Sequence, residues 1–187
     1  YGIFDYLKKQ KEQGRIKHLG FSAHGELPVL KRFLEAYGKD MEFCQIQLNW
    51  VDWKMQNAKA KVEMLKEQGI PVWVMEPVRG GKLATLEEEY ANELRTLRPD
   101  ATPAEWSFRF LQSIPEVVVT LSGMSDMKQL IENIATYSEE KPLSEKETEK
   151  LFSVADAMTS KTTLPCTACR YCTTHCPMEL DIPNLID

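Results

Sequence analysis

Cys166-x2-Cys169-x2-Cys172-x3-Cys176-Pro177 gathers four of the chain's five cysteines near its end. Thiolates at intervals of three can wrap one cubane, with the backbone N–H groups of the loop turned toward the sulfides. This is the spacing of the bacterial iron–sulfur run. Where two runs exist, the fourth cysteine serves the neighbouring cluster. With one run here, Cys176 completes the same 4Fe–4S cluster, and a continuation past Asp187 carrying a second run would reassign it. Two other chemistries use cysteines this densely. Structural zinc takes two separated C-x2-C pairs or adds histidines, so the compact run fits it less well, with His175 as the neighbouring imidazole. Disulfides require an oxidising compartment. Cys44 stands apart in an apolar run and reads as a small core residue.

A second set of polar residues falls where apolar runs end: Ser22-Ala23-His24, then Gln45, Gln47 and Asn49, then Glu76 with Arg79-Gly80-Gly81, then Ser122-Gly123. In F-C-Q-I-Q-L-N (43–49) the amides recur at period two, so they share one strand face while Cys44, Ile46 and Leu48 share the other. A buried amide without a partner costs on the order of 1–3 kcal/mol. The three amides therefore either bond to neighbouring strands or form a wall facing a ligand, since a carboxamide both donates and accepts. T-L-S-G-M-S-D-M (120–127) leaves a strand, turns at Gly123 and enters a helix whose first N–H groups would receive an anion such as a phosphate. Arg79-Gly80-Gly81-Lys82 offers close backbone approach and two cations for the same purpose, or is a surface loop. His18, inside a predicted strand, reads as packed. His24, just past the strand end, is the better candidate for touching a substrate. No nucleophile–base arrangement is apparent.

The elements that would position these groups alternate between helix and strand. Helical stripes run over 3–14, 27–38 and about 57–68, each followed or closed by glycine. Strands are predicted over 16–22, 43–49, 70–76 and 117–121, the last apolar enough to be buried on both faces. Thr102-Pro103-Ala104-Glu105 opens a helix with a capping box and proline at the first position, and Ser144 with Glu147 opens another to about Met158. Residues 126–137 form a further helix. Four strands each followed by a helix predict a parallel sheet with right-handed crossovers, either doubly wound or part of a (β/α)8 barrel, with the chemistry at the C-terminal ends of the strands. Four units are half a barrel, and the chain opens on Tyr1 directly into helix, so a piece of a longer protein is expected.

Composition narrows the class. The 187 residues are 43% apolar and 27% charged, ordinary for a globular domain. A net charge of −5 argues against a nucleic-acid binder, which needs a basic face. No apolar run approaches the length of a membrane span, and residues 1–18 lack a signal-peptide pattern. The expected compartment is the cytoplasm.

G-R-I-K-H-L-G-F-S (14–22), Q-I-Q-L-N (45–49), V-M-E-P-V-R-G-G-K-L (74–83) and S-G-M-S-D-M-K-Q-L-I-E-N (122–133) resemble, in order and spacing, the second half of aldo/keto reductases. More narrowly, they resemble the prokaryotic branch whose barrel is followed by a ferredoxin-like cysteine motif. The resemblance implies residues 1–158 as a half-barrel of four βα units of a (β/α)8 TIM-type barrel, and 159–187 as a short α-helical, ferredoxin-like 4Fe–4S tail. It implies NAD(P)H as cofactor, with a small carbonyl or alcohol as substrate. Ser22 and Gln45 match the residues that hold the nicotinamide carboxamide. Ser122, Gly123 and the helix through Gln129 and Asn133 match the loop gripping the adenosine end. Three positions depart from the pattern. Ala23 replaces an asparagine, Met75 replaces a stacking aromatic, and Gln129 stands where NADP-specific members often carry arginine, leaving Lys128 as the nearby cation.

The family's catalytic Asp, Tyr, Lys and His belong to the first half of the barrel, so no catalytic residue is assigned in this chain. The expected function is an oxidoreductase carrying an electron-transfer centre, with a redox partner protein receiving or supplying single electrons. The alternative is a non-catalytic electron-transfer or interaction module on a degenerate barrel. A half-barrel would expose two sheet edges and its inner face, so self-association is expected.

Overall fold

The computed structural model describes residues 2–160, 166 and 170–186. At its centre lie four strands: β1 (Gly20–Ala23), β2 (Phe43–Gln47), β3 (Val72–Met75) and β4 (Val117–Thr120). They pair in sequence order, and every pairing is parallel. Parallel neighbours cannot be joined by a tight hairpin and need a crossover of a dozen or more residues. Helices provide it. α1 (Ile3–Glu12) precedes β1, and α2 (Leu27–Tyr37) leads to β2. α3 (Asp52–Met55) and α4 (Ala58–Glu67) lead to β3, and α5 (Glu88–Arg95) and α6 (Pro103–Gln112) lead to β4. α7 (Met127–Tyr137) and α8 (Glu145–Ser160) follow. Two short helices, α9 (Tyr171–Thr174) and α10 (Ile182–Ile186), lie beyond them. The predicted βα alternation is therefore the observed one, in the arrangement of a barrel fragment. Among the described residues, no helix is long and apolar enough to cross a membrane.

Strand alternation divides the sheet into two unlike faces. Cys44, Ile46, Val72 and Val74 are wholly inaccessible and join one core with Leu30 and Leu34 of α2 and Val62 and Leu65 of α4. Fully burying an aliphatic side chain of this kind stabilises by about 1.5–3 kcal/mol. The other face carries Ser22, Gln45 and Trp73, which are register partners across three strands. Lower on that face, Phe43 stacks on Trp73 with centroids 4.0 Å apart. Gly20 makes the stack possible, because a Cβ there would stand 2.5 Å from the Phe43 ring.

The helix ends follow local rules. Gly14 closes α1 at φ 74°, where Arg15 N–H reaches the Gln10 carbonyl at 2.9 Å. Thr102 Oγ1 accepts from Glu105 N–H at 3.1 Å. Ser144 and Glu147 form a reciprocal box: Ser144 N–H donates to Glu147 Oε2 at 2.8 Å, and Glu147 N–H to Ser144 Oγ at 3.4 Å.

Three expectations are corrected, and one helix is added to them. β1 begins at Gly20, so His18 lies outside it, and its side chain is 72% exposed with Nδ1 2.6 Å from Glu42 Oε2. The reason is spacing: Ile16 and Leu19 are three apart, which does not alternate. β4 is not buried on both faces. It is an edge strand of this sheet, Val118 is 59% exposed, and a register shift opposite Val72 and Trp73 steps over that residue. Gly38 does not end α2 in the left-handed region but carries the chain into a 3-10 turn through Asp40. α3 was not legible as helix; it forms because Asn49 Oδ1 accepts from the N–H groups of Val51 and Asp52 at 3.1 and 2.9 Å.

Arg98 fastens the start of α8 to the α5–α6 connection. Its Nε donates to Glu147 Oε1 at 2.5 Å and an Nη to Oε2 at 3.1 Å, both groups largely buried. That bidentate pair, together with the Ser144 cap, holds the Glu147 carboxyl at about 2. A carboxyl depressed from the ordinary 4.5 contributes stability above pH 4.5 and loses it as pH falls toward 2. Glu147→Gln should therefore lower unfolding free energy by on the order of 3 kcal/mol at pH 7. In urea unfolding at stepped pH, the gap from wild type should close between pH 4.5 and about 2.

Candidate functional site

The C-terminal ends of the strands form one rim, and the amides of β2 show how it is built. Gln47 Nε2 donates to Asp52 Oδ2 at 2.8 Å. Asn49 Nδ2 donates to the same oxygen at 2.7 Å and to the Glu76 carbonyl at 3.0 Å. These two amides are thus structural. Gln45 is different: among the described residues its Nε2 meets only the soft sulfur of Met75 at 3.8 Å, a weak acceptor. Beside it in register, at the end of β1, stands exposed Ser22. Of the two readings of the amide row, internal bonding holds for Gln47 and Asn49, and the half-exposed Gln45 remains suited to a ligand.

Next to this pair lies a cleft of about 890 Å³ between the loop after β3, the start of α6, and the β4–α7 connection. Ligand pockets commonly hold roughly 300–1,000 Å³. Ser122, Gly123, Gln129 and Asn133 all line it; Ser22 and Gln45 do not, but Met75, which Gln45 touches, does. The β4–α7 turn is pinned by its own helix. Asn133 Nδ2 donates to Ser122 Oγ at 3.1 Å, and Ser125 N–H donates to Gln129 Oε1 at 2.8 Å.

Asp126 caps α7, its Oδ1 accepting from Gln129 N–H at 2.9 Å. A carboxylate therefore already holds one of the N–H groups that the sequence offered to an anion. Among the described residues, Glu76, Asp126 and Glu132 line the cleft with a single cation, Lys128, which is highly exposed and 3.8 Å from Glu132. The Arg79–Lys82 pair is corrected. Neither side chain lines the cleft; Arg79 is buried with its Nε 3.3 Å from Asp52 Oδ1, while Gly80 and Gly81 form the wall. His24 is exposed just past β1, outside the cleft.

Asp52 is the functional-looking residue that the sequence reading missed. Its signal was a lone carboxylate inside the otherwise apolar W-V-D-W. The side chain is wholly inaccessible and binds two amides and a guanidinium.

The cysteines divide by environment. Cys44 is buried, and burial pushes its thiol up to about 12 against the opposing pull of Lys61. Cys166 and Cys176 are half-buried, and Cys172 is exposed on α9. Arg170 turns in the left-handed region just before α9 and pairs with Asp181 at 3.4 Å. Cys169, the remaining member of the run, lies outside the described residues. Among the described residues, no group of three or more His, Cys, Asp or Glu is gathered closely enough to hold a metal ion.

With this geometry in view, the comparisons are direct. A family model for the aldo/keto reductase family matches residues 2–156. The chain belongs to the aldo/keto reductase family. A comparison with curated protein sequences returned no match. Among solved structures, an aldo-keto reductase from Bacillus halodurans in its holo form is similar, with 22% identity and a TM-score of 0.65. The match covers 80% of this chain and 54% of that one. An aldo-keto reductase from Klebsiella pneumoniae in complex with NADPH matches with 14% identity and a TM-score of 0.62, over 83% of this chain and 52% of that one. Aldose reductase from Giardia lamblia matches with 17% identity and a TM-score of 0.61, over 80% and 48%. At these identities the likeness establishes the fold, and the chain spans about half the length of these structures.

The thiol environments predict a labelling order. In reduced, metal-free protein at pH 8, iodoacetamide should modify Cys172 readily and leave Cys44 untouched until denaturant is added, as read by peptide mass mapping.

Proposed function

We propose that this chain is the nicotinamide-binding half of an NAD(P)H-dependent oxidoreductase of the aldo/keto reductase type, acting in the full protein on a small carbonyl or alcohol. One observation carries the reading: Ser22 and Gln45 stand side by side on the open sheet face next to the cleft formed by Ser122, Gly123, Gln129 and Asn133. The donor set fits the cofactor. Gln45 can both donate to and accept from a carboxamide, Ser22 can add a hydroxyl, and the pinned β4–α7 turn needs little further ordering to meet the adenosine end. A bound nicotinamide supplies the hydride. This chain's residues bind and orient, and no position of the chain that matches the family's pattern supplies the catalytic Asp, Tyr, Lys and His. The acidic lining of the cleft, with Lys128 as the one cation among its described residues, favours ribose hydroxyls over a 2′-phosphate.

Cys166, Cys169, Cys172 and Cys176 are assigned to one 4Fe–4S cluster, supported by their spacing. The cluster-bearing segment is 159–187, and 1–158 forms the half-barrel, a division supported by the family match ending at residue 156. A cluster moves single electrons, so a redox partner protein would exchange them with it. Among the described residues β1 and β4 are the edges of the sheet, which supports self-association, and the composition supports a cytoplasmic setting.

Titration of NADH and NADPH by fluorescence should give saturable binding, weakened about tenfold by Gln45→Leu. The 187-residue chain alone should show no carbonyl reductase activity. An absence of binding would leave the electron-transfer or interaction module as the better account. Anaerobic purification should yield iron, labile sulfide and an EPR signal on reduction; one equivalent of zinc without labile sulfide would overturn the cluster.

A further inference from the structure

We propose that Asp52 is a positioning residue for the nucleotide cleft: it holds Arg79 beneath the rim, and thereby fixes the 76–81 loop so that Gly80 and Gly81 form the cleft wall. The proposal rests on the cleft being a nucleotide site, as argued above.

A carboxylate removed from water is costly unless charge and hydrogen bonds replace its hydration. Asp52 is wholly inaccessible, and each of its oxygens is engaged. Oδ2 accepts from Gln47 and Asn49 at the end of β2. Oδ1 faces Arg79 Nε at 3.3 Å, an ion pair rather than a well-aligned hydrogen bond. One side chain therefore ties the end of β2 to the loop after β3. Asn49 repeats the tie through the Glu76 carbonyl.

The loop needs such a tie because its backbone is strained. Glu76 and Arg79 lie in the left-handed region at φ 57° and 49°, as do Gly80 and Gly81 at 64° and 93°. Left-handed non-glycine residues persist only where their surroundings over-determine them. Within the turn, Arg79 N–H donates to the Glu76 carbonyl at 3.1 Å, and Gly80 N–H donates to Glu76 Oε2 at 2.5 Å. The turn sends the Arg79 side chain inward, while Glu76, Val78, Gly80 and Gly81 face the cleft. Asp52 itself does not line the cleft, so any effect on a bound nucleotide passes through Arg79 and the loop. If Asp52 loses its charge, the ion pair that draws Arg79 under the rim is lost, and the 76–81 loop loosens, taking the glycine wall with it.

The test uses the full chain and three variants: Asp52→Asn, Arg79→Met and the double variant. NADH affinity, urea midpoint and amide hydrogen exchange are followed together. The single variants should weaken NADH binding at least tenfold. They should also speed exchange by a similar factor at Gly81, Lys82 and Leu83, whose N–H groups close the turn onto the Val78 and Arg79 carbonyls. Exchange in β2 should stay unchanged. The double variant should regain most of the urea midpoint, because both charges of the pair are removed together, without regaining affinity or slow exchange. Recovery of both with the midpoint would reduce Asp52 to a structural residue and overturn the proposal, as would single variants with wild-type exchange. If Asp52→Asn does not fold, Arg79→Met and the double variant decide the matter. If the wild type binds no NADH, the nucleotide reading fails, and the exchange data alone still show whether Asp52 holds the loop.

Discussion

Parallel strands cannot turn back on themselves, and most of the rest of this structure follows from that constraint. Each return to the start of the sheet takes a helical crossover, which must bury an apolar stripe against a strand face. α2 and α4 spend theirs on Cys44, Ile46, Val72 and Val74. The opposite face is left to Ser22, Gln45 and Trp73, and every strand delivers its last residue to the same rim. The site is thus a product of the topology before it is a product of any one side chain.

The rim needs polar groups near the end of a buried sheet, and the protein accommodates them by linking them to one another. Asp52, Asn49, Gln47 and Arg79 share bonds so that none is left without an interaction in the interior. A network of this sort is worth more than its separate pairs and is sensitive to the loss of a single member. It also places rigid, buried chemistry directly beneath a loop made of left-handed residues. The stiffness of the support is what allows the loop to be strained.

What could be read from the sequence was what local rules decide. The helix caps at Thr102 and Ser144 depend on residues three apart, and the two faces of β2 depend on period two; both were visible. What escaped depended on partners distant in sequence. The start of β1 is decided by where β2 pairs with it, since the apolar spacing of residues 16–19 does not carry a strand. The exposure of Val118 follows from its position on a sheet edge, which no run of valines announces. Arg79 looked like a phosphate cation because its partner, Asp52, is 27 positions away and joins it only once β2 and β3 are paired. The six cofactor-binding candidates came from a family likeness; four of them meet at the cleft and two stand on the sheet beside it.

The β4–α7 turn has one more consequence. Ser122 with Asn133, Ser125 with Gln129, and Asp126 with the Gln129 backbone are bonds made inside residues 122–133. Its conformation is therefore encoded in a contiguous segment rather than borrowed from the barrel. Such a turn can form as soon as α7 does, early in folding and without long-range closure. It is also portable. Transplanted with its helix onto another parallel strand, it would carry its shape along, so this stretch of the chain behaves as an interchangeable part.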